Sequence, residues 1–207
     1  MRLIAALVVA LVALAGCGAA PSQGPHPVIV IPATPTTTAP PVVPRVVPAS
    51  IDIPKIKVHS TLIPTGLNPD NTLAAADVKH PQQASYYCVE DLQKICSSGV
   101  LPGQVGPAVI LGHIDGAKQQ GIFYYLNKLQ IGDTVTITLK DGTVLTFQVY
   151  RIRQDSKTMF PTQVVYQPTS VPEIRLITCT GAWVGGNMGY GDNLIVFASL
   201  IPNPPGA

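Results

Sequence analysis

The chain has 207 residues, and its 13 Lys and Arg against 11 Asp and Glu leave a formal charge of only +2. Those cations are scattered rather than clustered, which argues against a nucleic-acid partner. Apolar residues supply 46% of the sequence, enough for a sizeable core, while 21 prolines indicate that part of the chain cannot join it.

Arg2 precedes an unbroken apolar stretch from Leu3 to Ala15. Its length suits a signal-peptide core and falls short of the ~20 residues of a membrane span, so the chain reads as exported. The stretch closes on Leu14-Ala15-Gly16-Cys17, a leucine and two small residues before a cysteine, which resembles a bacterial lipobox. On that reading residues 1–16 are a cleaved signal peptide and Cys17 is the lipidated mature N-terminus. The product is an extracytoplasmic lipoprotein held to the membrane through Cys17. An ordinary secretory signal with an incidental cysteine is the alternative.

Residues 17–47 are rich in Pro, Thr, Ala and Val, with Pro32, Pro35, Pro40, Pro41 and Pro44 recurring too often for a helix or a central strand. Extended at ~3.1 Å per residue, such a segment is a stalk several tens of ångströms long. Residues 48–201 remain for one domain, and 202–207 form a short tail.

Within the domain, Ser50 to Val58 and Ser60 to Thr65 read as an opening pair of strands, Asn68 to Asn71 as a turn, and Pro107 to His113 as a buried strand. Ile122, Tyr125, Leu126 and Leu129 recur at spacings of three and four, which predicts a short helix over 122–129. Asp133 to Leu139 and Val144 to Arg153 alternate around Lys140-Asp141-Gly142-Thr143, a strong hairpin signal. Thr162 to Tyr166 reads as one helical turn behind Pro161. Glu173 to Thr178 and Asn193 to Leu200 supply two late strands. Seven or eight short strands without βα alternation favour an all-β, closed or nearly closed barrel.

With Cys17 assigned to lipid, Cys88, Cys96 and Cys179 are left, an odd number outside the cell. The sparing assignment is a local Cys88–Cys96 disulfide in a loop-like stretch from Tyr86 to Gly103, with Cys179 free. A structural disulfide from Cys179 to either of the others stays open. Cys179 closes an apolar strand, and on that strand it shares a face with Ile177 and Arg175. His113 closes another strand. Thiol and imidazole together can make a nucleophile and its acid/base partner, because a lone cysteine is only a few per cent thiolate at neutral pH.

The stretch from Ser50 to Leu200 resembles the catalytic domain of the sortases, in particular the class F group of actinobacteria. The resemblance rests on Ile51-Asp52-Ile53-Pro54, Gly106-Pro107-Ala108-Val109-Ile110-Leu111-Gly112-His113-Ile114-Asp115, Gly121-Ile122-Phe123-Tyr124, Phe160-Pro161-Thr162, Glu173-Ile174-Arg175-Leu176-Ile177-Thr178-Cys179 and Asp192-Asn193-Leu194-Ile195-Val196-Phe197-Ala198. It implies an eight-stranded closed β-barrel with one or two short helices, in which His113 and Cys179 match the catalytic pair. It also implies a cysteine transpeptidase. Cys179 would attack an LPXTG-like sorting signal on a surface-protein precursor, and an amine of the cell envelope would resolve the thioester.

Sortases place an arginine on the strand after the cysteine, and the matching position here is Gly191. Arg175, on the Cys179 face but about 13 Å away along the strand, and Asn193 are candidates to contact the substrate or the transition state. Backbone N–H groups around Thr180 and Gly181 are candidate oxyanion donors. The missing arginine also sustains a second reading, a catalytically impaired, substrate-binding lipoprotein. A cell-wall L,D-transpeptidase fits poorly, because its His-Gly and Ser-x-Gly-Cys pattern is absent. His26, His59, His80 and His113 lack zinc-ligand spacing and the acidic residues form no calcium loop, so neither metal nor cofactor is expected.

Overall fold

The computed structural model describes residues 45–90, 96–186 and 188–202. The expected signal peptide, Cys17 and nearly all of the expected stalk lie outside the described residues, as do residues 203–207. Runs of β-branched and apolar residues, each bounded by Pro, Gly or Asn, become eight barrel strands. They are β1 (Pro48–Ile53), β2 (Val58–Thr65), β3 (Ala84–Tyr87), β4 (Gly106–Leu111), β5 (Thr134–Leu139), β6 (Val144–Ser156), β7 (Pro172–Gly185) and β8 (Gly189–Ile201). Their order around the sheet is β1-β2-β3-β4-β7-β8-β6-β5, and β1 pairs back onto β5, so the sheet closes. The expected closed eight-stranded barrel is the fold. Two neighbouring pairs are parallel, β2 with β3 and β4 with β7.

Period-two alternation decides which side chains fill the barrel. Ala108 and Ile110 of β4, Ile174 and Leu176 of β7 and Val196 and Ala198 of β8 join the main core. Their neighbours Val109, Leu111, Ile177, Ile195 and Phe197 form a second apolar cluster with Val165, on the helical turn α1 (Thr162–Tyr166). Strands covered on both faces lose the polar half of the alternation. That is why β4 reads as a continuous apolar run, whereas β7 is interrupted by the buried Arg175.

The β5–β6 hairpin forms where its turn residues predict. Gly142 adopts φ +87°, and the Thr143 N–H donates to Asp141 Oδ1 at 2.9 Å. The expected strand from Ser50 to Val58 is broken by Pro54, which has no N–H to offer a ladder. A 3₁₀ turn, Pro54–Ile56, and left-handed Lys57 separate β1 from β2. The predicted helix over 122–129 contracts to turns and a 3₁₀ segment, Leu126–Lys128. Its N–H groups bond three residues back, Tyr124 to Gly121 at 3.1 Å and Leu126 to Phe123 at 3.0 Å. The tighter winding buries Ile122, Phe123, Leu126 and Leu129 while Tyr125 faces solvent.

Cys88 and Cys96 form the expected disulfide, with Cα atoms 5.3 Å apart, and Cys179 is free. The stretch from Tyr86 is not all loop, since β3 runs into it and short strands at Val89–Glu90 and Cys96–Ser98 pair beside the disulfide. The two late strands are also longer than the sequence indicates. Pairing of β7 with β8 continues past Cys179 to Gly185 and Gly189, so Cys179 lies within a strand rather than at its end. The glycine-rich connection is largely a paired ribbon.

Candidate active site

Strands β4 and β7 are parallel neighbours in even register, with Ala108 opposite Ile174 and Leu111 opposite Ile177. The Gly112 N–H donates to the Ile177 carbonyl at 3.1 Å, which extends the match one step further. His113 and Cys179 each follow two residues after the last registered pair. Continued at that register, the chain at His113 passes Cys179 at about one strand spacing of ~4.8 Å. Cys179 stays in the ladder opposite Asn193, on the face that carries Ile177, while β4 has ended at Leu111. Cys179 is partly exposed.

The imidazole is held from the other side. His113 Nε2 lies 2.7 Å from the carbonyl oxygen of Ala76, a buried residue in the connection between β2 and β3. A carbonyl can only accept, so Nε2 carries the proton and Nδ1 is left to accept one. The main chain at His113 is fixed as well, because its carbonyl accepts from the Phe123 N–H at 3.0 Å. A Cβ on Gly121 would collide with that same His113 carbonyl, and one on Gly112 would meet the Phe123 ring at 2.5 Å. Gly121→Ala is therefore expected to destabilise the domain by ~1–3 kcal/mol, because the clash is with backbone. Thermal unfolding checks this: a fall of several degrees is expected, and an unchanged midpoint would mean that the two segments are not so closely apposed.

An open groove of about 570 Å³ lies on the outer face, next to the positions two residues before the pair. Leu111 and Ile177 line it together with Leu73, Phe160, Met188 and Asn193. Asn193 is the residue opposite Cys179 in the β7–β8 ladder. One end of the groove comes from the connection after β2 and the other from the segment around α1. Lys157 lines it too, with Nζ donating to the Met188 carbonyl at 2.7 Å.

A second polar contact closes the opposite flank. The Tyr190 hydroxyl donates to Asp115 Oδ2, tying β8 to the segment just after His113. That hydrogen bond, with burial and the nearby Asp115, Tyr124 and Cys179, pushes the Tyr190 hydroxyl up to about 12. Asp115-Gly116 and Gln119-Gln120 form a small hairpin. Its turn residues Ala117 and Lys118 both have positive φ, the geometry of a type I′ turn.

A family model for the sortase domain matches residues 51–201. The chain belongs to the sortase family. No curated protein sequence matches it. Among solved structures, sortase A from Corynebacterium diphtheriae is 24% identical with a TM-score of 0.56, covering 79% of this chain and 65% of its own. The chain thus spans under two thirds of that protein's length. The sortase D5 transpeptidase of Clostridium perfringens is 25% identical (TM-score 0.52; 75% and 79% covered). Sortase C1 of Streptococcus agalactiae is 20% identical (TM-score 0.54; 75% and 68% covered).

Within this sortase the remaining candidate residues fall into two groups. Asn193 faces Cys179 across the ladder and lines the groove. Thr180 pairs with Asp192, after which the ladder shifts register and Gly181 adopts φ +82°. A bulge takes backbone groups off the ladder, so the chain beside Cys179 departs from regular pairing where donors are needed. The Asp192 carboxylate packs against Gly181 and accepts from Gln154 Nε2 at 2.6 Å.

Arg175 does not fit its expected place. It lies on the Cys179 parity, yet its guanidinium turns the other way and pairs with Glu173 Oε2 at 2.6 Å. It stacks 4.6 Å over the Phe197 ring and is almost fully buried, so it is neither a groove wall nor a donor for the cysteine. A cation beside an apolar face settles on the nearest buried carboxylate, and residue 173 shares its face two steps back. Lys157 in the groove and the Tyr190 contact to Asp115 have no signal in the sequence. Among the described residues no group of three His, Cys, Asp or Glu could hold a metal ion.

Proposed function

We propose that this sortase is a cysteine transpeptidase of the class F type, anchored to the outer face of the membrane through lipid on Cys17. The observation that supports the reading is the even parallel register of β4 and β7, which runs to Leu111 opposite Ile177, two residues before His113 and Cys179, beside a groove that Leu111 and Ile177 line. An extended sorting signal of the LPXTG kind lies in the groove against Leu111 and Ile177, with its threonyl carbonyl at Cys179. The thiol gives its proton to His113 Nδ1 and the sulfur attacks the carbonyl carbon. The tetrahedral intermediate collapses as the scissile C–N bond breaks, and the leaving amine takes the proton from the imidazolium. A cell-envelope amine then attacks the thioester, with His113 accepting its proton and returning it to the sulfur.

The second reading, a groove that binds sorting signals without efficient turnover, is favoured by one observation. Gly191 offers no side chain where sortases carry an arginine. Intact-protein mass spectrometry of residues 48–207 incubated with LPXTG-like peptides separates the two. An acyl adduct on Cys179, absent in Cys179→Ala and discharged into a new peptide by added amine, is expected. Peptide binding with no adduct under any condition would instead establish the binding protein.

A further inference from the structure

Attack of a thiolate on an amide carbonyl moves a full negative charge onto the carbonyl oxygen, and something near Cys179 has to meet it. The described cations around the site are mostly committed. Arg175 is paired with Glu173, Arg153 with Asp155, and Arg151 stacks on Phe197 at 5.3 Å. Among the described residues that line the groove, Lys157 is the one cation.

Its position follows from the ladder. In β6 and β8, Asp155 is opposite Asn193 and Ser156 is opposite Asp192, where the ladder ends, so Lys157 opens the following 3₁₀ turn beside the end of the ladder that Gly191 continues on β8. Asn193 is in turn opposite Cys179 in β7. Lys157 therefore follows Asp155, which is two strands across from the nucleophile, and it lines the same groove as Asn193 and Ile177. Spacings of ~4.8 Å between strands and at most ~3.3 Å per residue put the two Cα atoms roughly 10 to 12 Å apart. A lysine side chain, a cysteine side chain and a carbonyl group bridge that gap between them. Gly191, at the neighbouring position of β8, has no side chain to fill the space. Lys157 is anchored from below because β6 ends in a 3₁₀ turn, Lys157–Met159, whose first N–H to be capped is that of Thr158, received by Ser156 Oγ at 3.3 Å.

We infer that the Lys157 ammonium is the cation that stabilises the oxyanion on the substrate carbonyl during attack by Cys179, acting from the turn that ends β6 while the neighbouring position 191 of β8 is glycine. This rests on the transpeptidase reading above. An ammonium carries three donors, so one stays on the Met188 carbonyl while another turns to the oxyanion. As the C–S bond forms, the carbonyl π pair moves onto oxygen and meets the Lys157 charge. When the C–N bond breaks, that pair returns to re-form the carbonyl, and Lys157 keeps its proton throughout.

The test is the rate of acyl-enzyme formation with LPXTG-like peptides, read by intact-protein mass spectrometry, for the unaltered domain and for Lys157→Met, Lys157→Gln and Lys157→Arg. Thermal unfolding checks that each variant is folded. Loss of an oxyanion donor of this kind slows acylation by on the order of 10²- to 10³-fold. That loss is expected for Met and for Gln, with Arg within about tenfold of the unaltered protein. Gln can still donate to Met188, so a Gln variant as fast as the unaltered protein would make Lys157 a loop tether and overturn the inference. So would a folded Met variant that acylates normally. If the unaltered protein forms no adduct with any peptide, the transpeptidase reading itself falls and the role of Lys157 falls with it. If it acylates and only the variants decide the outcome, the two failures are told apart.

Discussion

Replacing His113 by glutamine is expected to slow acyl-enzyme formation by about 10²- to 10⁴-fold, the range that a positioned acid/base group supplies. The side chain has two jobs at two nitrogens. Nε2 is spent on the Ala76 carbonyl, which fixes the ring and its tautomer, and Nδ1 is left to accept the proton of the thiol in the proposed mechanism. Glutamine can keep a donor for Ala76 through its amide, so the connection between β2 and β3 stays in place, but it cannot carry the proton from sulfur to the leaving amine. Folding is therefore expected to survive, because His113 is only partly buried and its backbone bonds do not depend on the ring. The check is a time course of adduct formation beside a thermal melt. Normal acylation by a folded glutamine variant would remove His113 from the mechanism and leave the sequence reading with a cysteine alone.

The neighbourhood of His113 and Cys179 is legible in the sequence because both follow apolar runs, and parallel strands in even register bring those runs together. The groove is legible only in part. Strand parity puts Ile177 on the Cys179 face, but the walls come from segments far apart in the chain, the connection after β2 and the turns around Phe160. Nothing in local periodicity says that they meet. Lys157 escapes for the same reason. Its significance lies in a β6–β8 register that no pattern within 144–156 or 189–201 encodes, and in a glycine on the other strand.

The barrel itself follows from alternation and punctuation, and the errors cluster where one of those signals fails. β3 is four residues long and almost wholly buried, with no alternation to mark it. The 122–129 segment carries spacings of three and four that suit a helix. Gly121 must nevertheless pack against the His113 carbonyl, and that approach fixes a tighter 3₁₀ winding. Beyond Cys179 the glycines suggest a loose loop, whereas the ladder runs on to Gly185 because Trp183 and Tyr190 pack edge to face with ring centres 5.2 Å apart. Cross-strand aromatic pairs of that kind add stability that intrinsic propensity does not reveal.

Arg175 is where the sequence argument and the structure part most clearly, and it leads to the largest stability effect expected. Its side chain is 2% exposed and that of Glu173 is 11% exposed, so the pair is an internal ion pair rather than a surface one. Glu173 Oε2 also accepts from the Tyr150 hydroxyl at 2.7 Å, while Arg175 Nη1 donates to the Ile174 carbonyl and Nε has no partner among the described residues. Breaking such a pair costs about 3–5 kcal/mol because a buried charge is stranded. For a domain of this size that is roughly a 10 °C fall in the melting temperature.

The two single variants are not equivalent. Glu173→Gln leaves a guanidinium that cannot lose its proton, so its destabilisation is expected at every pH. Arg175→Met leaves a carboxylate, which takes up a proton more readily once its partner is gone, so its destabilisation is expected to shrink as the pH is lowered. Glu173→Leu combined with Arg175→Met is expected to be milder than either alone, since no charge is left behind. Tyr150 adds an alkaline limit. Burial, then the hydrogen bond to Glu173, pushes its hydroxyl up to about 12. A raised folded value means that its contribution is present below the ordinary value of about 10 and is lost as the pH rises through 12. Melting curves of the four proteins at pH 5 and pH 8 test the ordering. Equal melting temperatures for the unaltered protein and Glu173→Gln would show that water reaches the pair and that the outer apolar cluster is less closed than its packing indicates.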